Sequence, residues 1–124
     1  MEIPAGKIQD SELEVMKVLW ESGEPAALMD IRRTLSERRG WEDSTVKTLI
    51  RRLEAKGAVR LVSRGVYAPV VSEAEYNGWS TQTFLDKLYA GSAKKLVAAL
   101  VSDGKLSAED IAELSELFNG EGKK

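Results

Sequence analysis

The chain has 124 residues, 43% of them hydrophobic and 31% charged, so it can bury a core as one ordinary domain or two small ones. It contains neither cysteine nor histidine, which excludes disulfides, thiolate metal sites, thiol nucleophiles and imidazole bases. It also has no apolar run long enough for a membrane span and no signal-peptide pattern, which predicts a cytoplasmic protein without membrane insertion.

Charge is distributed unevenly along the chain, although the formal net charge is only −2. Residues 41–64 carry six basic and three acidic side chains, whereas residues 71–124 carry six basic and nine acidic ones. The basic stretch could meet phosphates while the acidic end faces elsewhere. On charge alone, an ordinary solvated surface is an equally good interpretation.

The first forty residues contain two segments in which apolar residues recur at helical spacing. Ser11 and Glu14 fit a capping box, which predicts a helix over about residues 10–21. A turn-forming segment with glycine and proline ends it. A second short helix is expected to run to about Arg38, before another glycine.

A third helix is expected to begin near Asp43 or Ser44, either of which can cap its first turn, and to run to Lys56. Its apolar positions predict one buried stripe formed by Val46, Leu49, Ile50 and Leu53. The opposite face then carries hydroxyl and cationic side chains that can reach bases and phosphates in a major groove. We expect DNA contacts from Ser44, Thr45, Lys47, Thr48, Arg51 and Arg52, the last of them to a phosphate.

Taken alone, such a polar face is more often solvated surface than a DNA-binding face. The segment after Gly57 changes the balance, because its residues favour two strands, 59–63 and 66–71, around a turn at Arg64. Pro69 restricts the second strand to an edge or to its last residues. Three helices followed by a hairpin is the order of a winged helix-turn-helix. Arg64 at the hairpin tip could reach DNA, and a solvated turn residue is nearly as good an interpretation.

Residues 72–118 predict three more helices, with a capping box at Ser72 and Glu75, a break at Gly91 and a cap at Ser107. Helices of this length bury little apolar surface alone, so we predict that they pack against a second copy. Folding back onto the N-terminal domain is the alternative. The residues expected at the dimer interface are Tyr76, Trp79, Phe84, Leu88, Leu96, Leu100, Ile111, Leu114, Leu117 and Phe118.

The predicted fold class is therefore mainly α with a small β-hairpin. It comprises a winged helix-turn-helix domain over residues 7–71, a helical dimerisation domain over residues 72–118, and a frayed tail over residues 119–124.

Two sets of residues suggest other chemistry at first sight. Trp20, Trp41 and Trp79 could stack on bases, but all lie at apolar helical positions or helix junctions, and core packing is the better interpretation. The neighbouring acidic pairs Glu12 with Glu14 and Glu109 with Asp110 look like capping and helix N-terminal charges. With no nucleophile–base pair or metal cluster, we expect neither an enzyme nor a cofactor.

The stretch W-E-D-S-T-V-K-T-L-I-R-R-L-E-A-K-G over residues 41–57 resembles the penicillinase repressor (BlaI/MecI-type) family. Four further segments look like that family in the same order: S-E-L-E-V-M-K-V-L-W (11–20), V-S-E-A-E-Y (71–76), F-L-D-K-L-Y-A-G-S (84–92) and K-L-S-A-E-D-I-A-E-L (105–114). The resemblance covers about residues 8–118.

The resemblance implies a bacterial repressor that acts as a homodimer, with winged domains on double-stranded palindromic operator DNA and interlocking C-terminal helices. In that family the controlled genes include β-lactamases and sensor proteases. A membrane-bound sensor metalloprotease leads to cleavage of the repressor within its dimerisation helices. The partners that the resemblance implies are therefore operator DNA, a second copy of the chain and a membrane sensor metalloprotease that acts indirectly.

Three features depart from the family. Its staphylococcal members carry Asn-Phe at the scissile bond, where this chain has Ala99 and Leu100, so induction by the same cleavage stays open. A copper-responsive branch carries Cys-x-Cys motifs, and the lack of cysteine excludes that metal sensing. The family's serine before the recognition helix is replaced by Glu42, which places an acid near the DNA and is expected to weaken or retune binding.

The competing interpretation is a protein-interaction winged helix without a DNA role, which the net acidic charge favours. It predicts no salt-dependent duplex binding, whereas phosphate contacts make affinity fall steeply with salt.

Overall fold

A computed structural model describes residues 8–122, with side chains through residue 120. Residue 7, at the start of the predicted winged domain, and residues 123–124 of the predicted tail lie outside the described range. The predicted class is confirmed, since the described chain is mainly helical with one small sheet. Its elements are α1 (Asp10–Ser22), β1 (Ala26–Ala27), α2 (Leu28–Arg39), α3 (Asp43–Ala55), β2 (Val59–Ser63), β3 (Val66–Pro69), α4 (Glu73–Tyr89), α5 (Ala93–Ser102) and α6 (Ala108–Gly122).

The core of the N-terminal part forms where α1, α2 and α3 pack together. The predicted stripe on α3 is buried in full, because each of its four residues is at most 4% exposed. It meets apolar side chains of the other two helices, among them Val15, Met16, Leu19, Ile31 and Leu35. Burial of one such aliphatic side chain contributes about 1.5–3 kcal/mol, so this cluster fixes how α3 sits on the domain.

The sheet has three antiparallel strands in the order β1-β3-β2, so the predicted hairpin is present with one additional strand. Strand β1 pairs Ala26 with Tyr67 and Ala27 with Val66. Pro69 is the last residue of β3, as its missing amide hydrogen requires in a central strand. We call β2, β3 and the turn between them the wing.

Two predicted helix caps are wrong, although both helices begin where the sequence predicts. The capping box of α1 is formed by Gln9 and Glu12 rather than Ser11 and Glu14, because the helix begins at Asp10 and places Ser11 inside its first turn. The Glu12 carboxylate accepts a hydrogen bond from the Gln9 amide at 2.9 Å.

Helix α3 begins at Asp43, one of the two predicted starts, but neither Asp43 nor Ser44 is its N-cap. Its N-cap is Glu42, with no side-chain hydrogen bond to the first turn. The carboxylate of Asp43 binds Arg32 of α2 instead, so this tertiary contact prevails over the local cap.

The C-terminal helix starts follow the sequence prediction. Ser72 with Glu75 and Ser107 with Asp110 form reciprocal capping boxes at 2.8–3.0 Å. The predicted tail, residues 119–124, overlaps the end of α6, which runs to Gly122. No proline follows position 69, so the backbone can continue its helical hydrogen bonds.

The chain divides into an N-terminal unit that ends at Ser80 and a C-terminal unit that begins at Thr81. The division lies inside α4, later than the predicted boundary at 71/72, because Tyr76 packs against the N-terminal core. Among the described residues of the C-terminal unit, Leu85 is the one buried hydrophobic side chain. Within residues 8–122, no helix is long and apolar enough to cross a membrane.

Candidate nucleic-acid interface

Helix α3 separates an apolar face from a polar one. The apolar stripe of α3 is buried against α1 and α2. The α3 residues predicted to contact DNA all lie exposed on the opposite side of the helix. We call them the outer face of α3: Ser44, Thr45, Lys47, Thr48, Arg51 and Arg52. The fold therefore brings these six predicted residues onto one accessible helix surface.

The cations of the outer face are available to a ligand. Lys47, Arg51 and Arg52 form no salt bridge within the described chain, although the charge of Lys47 contributes to the lowered pKa of Asp43 one turn earlier. The Thr48 hydroxyl donates to the Ser44 carbonyl at 2.9 Å, and its oxygen keeps the capacity to accept a hydrogen bond. A shallow depression of about 260 Å³ lies along this face and is lined by Ser44, Thr45, Thr48, Leu49 and Arg52. Such a surface can accept phosphate oxygens and base edges.

Two acidic residues sit at the N-terminal end of the outer face. The hydrogen bond from Arg32 lowers the pKa of Asp43, and the same bond raises the pKa of Arg32. Glu42 is exposed and close to the helix start, where the macrodipole favours negative charge. The acids stabilise the helix end but oppose an approaching phosphate.

Replacement of Glu42 by glutamine is expected to raise duplex affinity about two- to fivefold if the outer face binds DNA, because it removes one exposed negative charge at the N-terminal end of that face. Fluorescence anisotropy with one labelled duplex at constant salt measures the change. Glu54→Gln, at the opposite end of α3, is the matched control and should change affinity less than about twofold. Equal affinities for the Glu42 variant and the unmodified protein would place this residue away from the DNA.

The wing places Arg64 in its tight turn, exposed and next to Gly65. Gly65 has a φ of 70°, a left-handed conformation that favours glycine. Its carbonyl accepts a hydrogen bond from the Leu28 amide at 2.7 Å, which anchors the wing tip to the start of α2. The turn therefore presents Arg64 from a fixed backbone.

The tryptophans divide into two groups. Trp20 and Trp41 pack against the N-terminal core, as predicted. The guanidinium of Arg39 lies 5.6 Å from the Trp41 ring centroid. Trp79 is 38% exposed and contacts Tyr76. The prediction that Trp79 packs in the core is therefore wrong, because Trp79 lies on a face of α4 that is not buried in the core.

The structure also identifies two positioning contacts that sequence reasoning missed. One is the Arg32–Asp43 pair between α2 and the start of α3. The other joins buried Glu12 of α1 to Lys56 at the end of α3, with 2.5 Å between Oε1 and Nζ. The spacing of Gln9 and Glu12 is typical of a helix cap and could have indicated it. No local sequence pattern indicates that Glu12 pairs with Lys56, which is 44 residues away.

The C-terminal unit exposes much of its apolar surface. Of the residues predicted at a dimer interface, Leu96 and Leu100 are half-buried in α5. The others in this unit are exposed, namely Phe84, Leu88, Ile111, Leu114, Leu117 and Phe118. A groove of about 690 Å³ runs along α5 and α6 and is lined by Val97, Val101, Leu106, Ile111, Leu114, Ser115, Leu117, Phe118 and Asn119. Tyr76 and Trp79 belong instead to the N-terminal unit.

The pair Ala99 and Leu100 lies within α5, and both residues are half-buried. Their carbonyls accept hydrogen bonds of 2.9 Å from the amides of Asp103 and Lys105. The peptide bond between them is therefore part of a closed helical turn.

The family model described as Penicillinase repressor matches residues 8–120. The penicillinase repressor of Bacillus licheniformis is 32% identical over 115 residues, covering 90% of this chain and 89% of that protein. The methicillin resistance regulatory protein MecI of Staphylococcus aureus strain N315 is 29% identical, covering 91% and 94%. The solution structure of the DNA binding domain of the repressor BlaI matches with a TM-score of 0.53 and 36% identity, over 60% of this chain and 92% of that one. As the sequence resemblance predicted, the chain belongs to the penicillinase repressor family.

Proposed function

We propose that the protein is a cytoplasmic transcriptional repressor that binds palindromic operator DNA as a homodimer. The observation that carries this proposal is the outer face of α3, where hydroxyls and unpaired cations stand opposite a fully buried stripe. In the proposed complex, Arg51 forks to guanine acceptors, and Thr45, Lys47 and Thr48 face the groove. Arg52 and Arg64 contact phosphates. The names of its relatives, a penicillinase repressor and a methicillin resistance regulator, support the regulatory role.

We propose that a second copy of the chain packs against the apolar surface of the C-terminal unit. Six predicted interface residues of the C-terminal unit are between 42% and 76% exposed, while Leu85 is its one buried hydrophobic residue among those described. An exposed apolar surface of this composition favours association. A dimer also places two recognition helices on two half-sites about one turn of DNA apart, or a multiple of it.

Release of the operator by an upstream signal completes the proposal. A membrane sensor metalloprotease that acts indirectly is the candidate signal, and α5 is the candidate target. Because Ala99 and Leu100 lie in a hydrogen-bonded turn, cleavage there requires local opening of α5. Proteolysis inside a dimerisation helix would separate the subunits and weaken operator binding.

The experiment that tests the repressor function is selection of bound duplexes from a random DNA library with the purified full chain, followed by titration at two salt concentrations. We expect a palindromic motif, bound as a dimer, with an affinity that falls as salt rises. The acidic net charge favours a second candidate, a winged helix that binds another protein. No enriched motif and no salt-dependent binding would contradict DNA binding and favour that candidate.

Arg51→Ala is expected to weaken operator binding by about 1–3 kcal/mol for each half-site, because it removes from each subunit a guanidinium that reads a base. Anisotropy titrations with the selected duplex measure the loss. Lys94→Ala, which removes an exposed cation from α5, is the control for net charge and should leave affinity nearly unchanged. Unchanged binding of the Arg51 variant would count against recognition by this helix.

A further inference from the structure

Helix α2 carries several arginines, and the salt bridges of the described chain give them different partners. Arg33 pairs with Asp30 of the same helix. Arg38 pairs with a glutamate of α1. Arg32 reaches the Asp43 carboxylate at the start of α3. The hydrogen bond between Arg32 Nη2 and Asp43 Oδ2 therefore joins the two helices of the helix-turn-helix.

The Arg32 side chain lies deeper in the protein than that of its neighbour. It is 31% exposed, whereas the side chain of Arg33 is 64% exposed. The Nε atom of Arg32 is buried and has no hydrogen-bond partner within the described residues. A buried donor without a partner lowers stability, and an ion pair near the surface adds little, so the stability of the fold does not account for this placement. What the placement secures is the contact with Asp43.

Asp43 lies where a negative charge would act directly on bound DNA. It is the first residue of α3, immediately before Ser44 and Thr45 of the outer face, and its side chain is 60% exposed. Recognition helices present their N-terminal turns to the DNA. An uncompensated carboxylate at this position would therefore repel operator phosphates.

Two cations compensate the charge of Asp43. The hydrogen bond from Arg32 is the main cause of the lowered pKa of Asp43, and the charge of Lys47 acts in the same direction. Lys47 belongs to the outer face, and in the proposed complex it faces the groove, where the DNA competes for its charge. Arg32 belongs to α2, outside that face, so it remains with Asp43 when DNA is bound.

We infer that Arg32 is a positioning residue for operator binding, which holds and neutralises the Asp43 carboxylate so that phosphates can approach the first turn of α3. The inference rests on the proposed repressor function, and it assigns Arg32 no contact with DNA. A purely structural role makes a different prediction. Replacement of Arg32 would then weaken binding by loosening α2 from α3, and removal of the Asp43 charge would not restore it.

The first variant is Arg32→Met, which keeps most of the aliphatic stem and removes the guanidinium. We expect binding to the selected palindromic duplex to weaken about tenfold, roughly threefold for each half-site, because a free carboxylate then faces the phosphates. Arg32→Gln removes the same charge with a polar end and should behave alike. Arg33→Met makes the same charge change one residue away and should alter affinity less than about twofold.

The decisive variant adds Asp43→Asn to Arg32→Met. It removes the uncompensated carboxylate and should restore affinity to within about twofold of the unmodified protein. Asp30→Asn in the same background is the matched control. It makes the same charge change at an exposed carboxylate that lines a concavity between α1 and α2, away from the start of α3. This control should leave affinity about fivefold or more below that of the unmodified protein.

Anisotropy titrations at constant salt measure these affinities, and circular dichroism verifies that each variant is folded. Binding by Arg32→Met as tight as that of the unmodified protein would overturn the inference. So would a double variant with Asp43→Asn that stays as weak as Arg32→Met, because the loss would then come from packing or from a direct DNA contact. Equal recovery by Asp30→Asn would assign the effect to net charge and overturn it too. If the unmodified protein binds no duplex, the repressor function itself is contradicted, which is a separate result.

Discussion

Lys56→Met is expected to lower the free energy of unfolding by about 3–5 kcal/mol, because it leaves a buried carboxylate without its cationic partner. Glu12 is fully buried, whereas the side chain of Lys56 is 24% exposed. The Oε2 atom of Glu12 has no hydrogen-bond partner within the described chain. The Oε1 atom of Glu12 therefore accepts both hydrogen bonds, from the Gln9 amide and from Lys56. Methionine keeps most of the lysine stem and removes the charge. Urea denaturation followed by circular dichroism, at one fixed protein concentration, measures the change.

Two further variants separate charge from packing. Lys17→Met removes the lysine of the exposed Glu14–Lys17 pair, at 3.4 Å, and should change stability by less than about 0.5 kcal/mol. The double variant Glu12→Gln with Lys56→Met should recover most of the loss, since glutamine can still cap Gln9 without a buried charge. A double variant as unstable as Lys56→Met would assign the loss to packing around Lys56 and contradict the charge explanation.

The elements that the sequence predicted are those whose interactions are local. The apolar stripe of α3 repeats within a few residues, so its burial and the outer face follow from helical periodicity alone. The capping boxes at Ser72 and Ser107 likewise join residues three apart. For this reason the positions of the six outer-face residues follow from the sequence.

The features that sequence reasoning missed depend on contacts between distant residues. Strand β1 consists of Ala26 and Ala27, which have no strand preference, and it exists because β3 pairs with it. Asp43 was a reasonable cap by residue type, but Arg32 of another helix binds it. The unit boundary moved into α4 because Tyr76 meets the N-terminal core, a contact that helix periodicity does not specify.

Leu114→Glu is expected to have the largest effect on operator binding, because it places a carboxylate in the apolar groove of α5 and α6. Leu114 is 48% exposed in the single chain and lines that groove. If a second copy covers the groove, the buried unpaired charge costs several kcal/mol, and the dissociation constant of the dimer rises by about a thousandfold. Sedimentation equilibrium should detect a monomer at concentrations where the unmodified protein is a dimer.

Operator binding should follow the dimer, because two linked half-site contacts gain about 10²–10⁴ in avidity that a monomer lacks. Affinity for a duplex with one half-site should stay unchanged, which separates loss of the dimer from damage to α3. Ala112→Glu adds the same charge to an exposed position of α6 that does not line the groove, and it should remain dimeric. A Leu114 variant that stays dimeric would show that the groove is not the subunit interface. The proposal that a second copy packs against this surface would then be wrong.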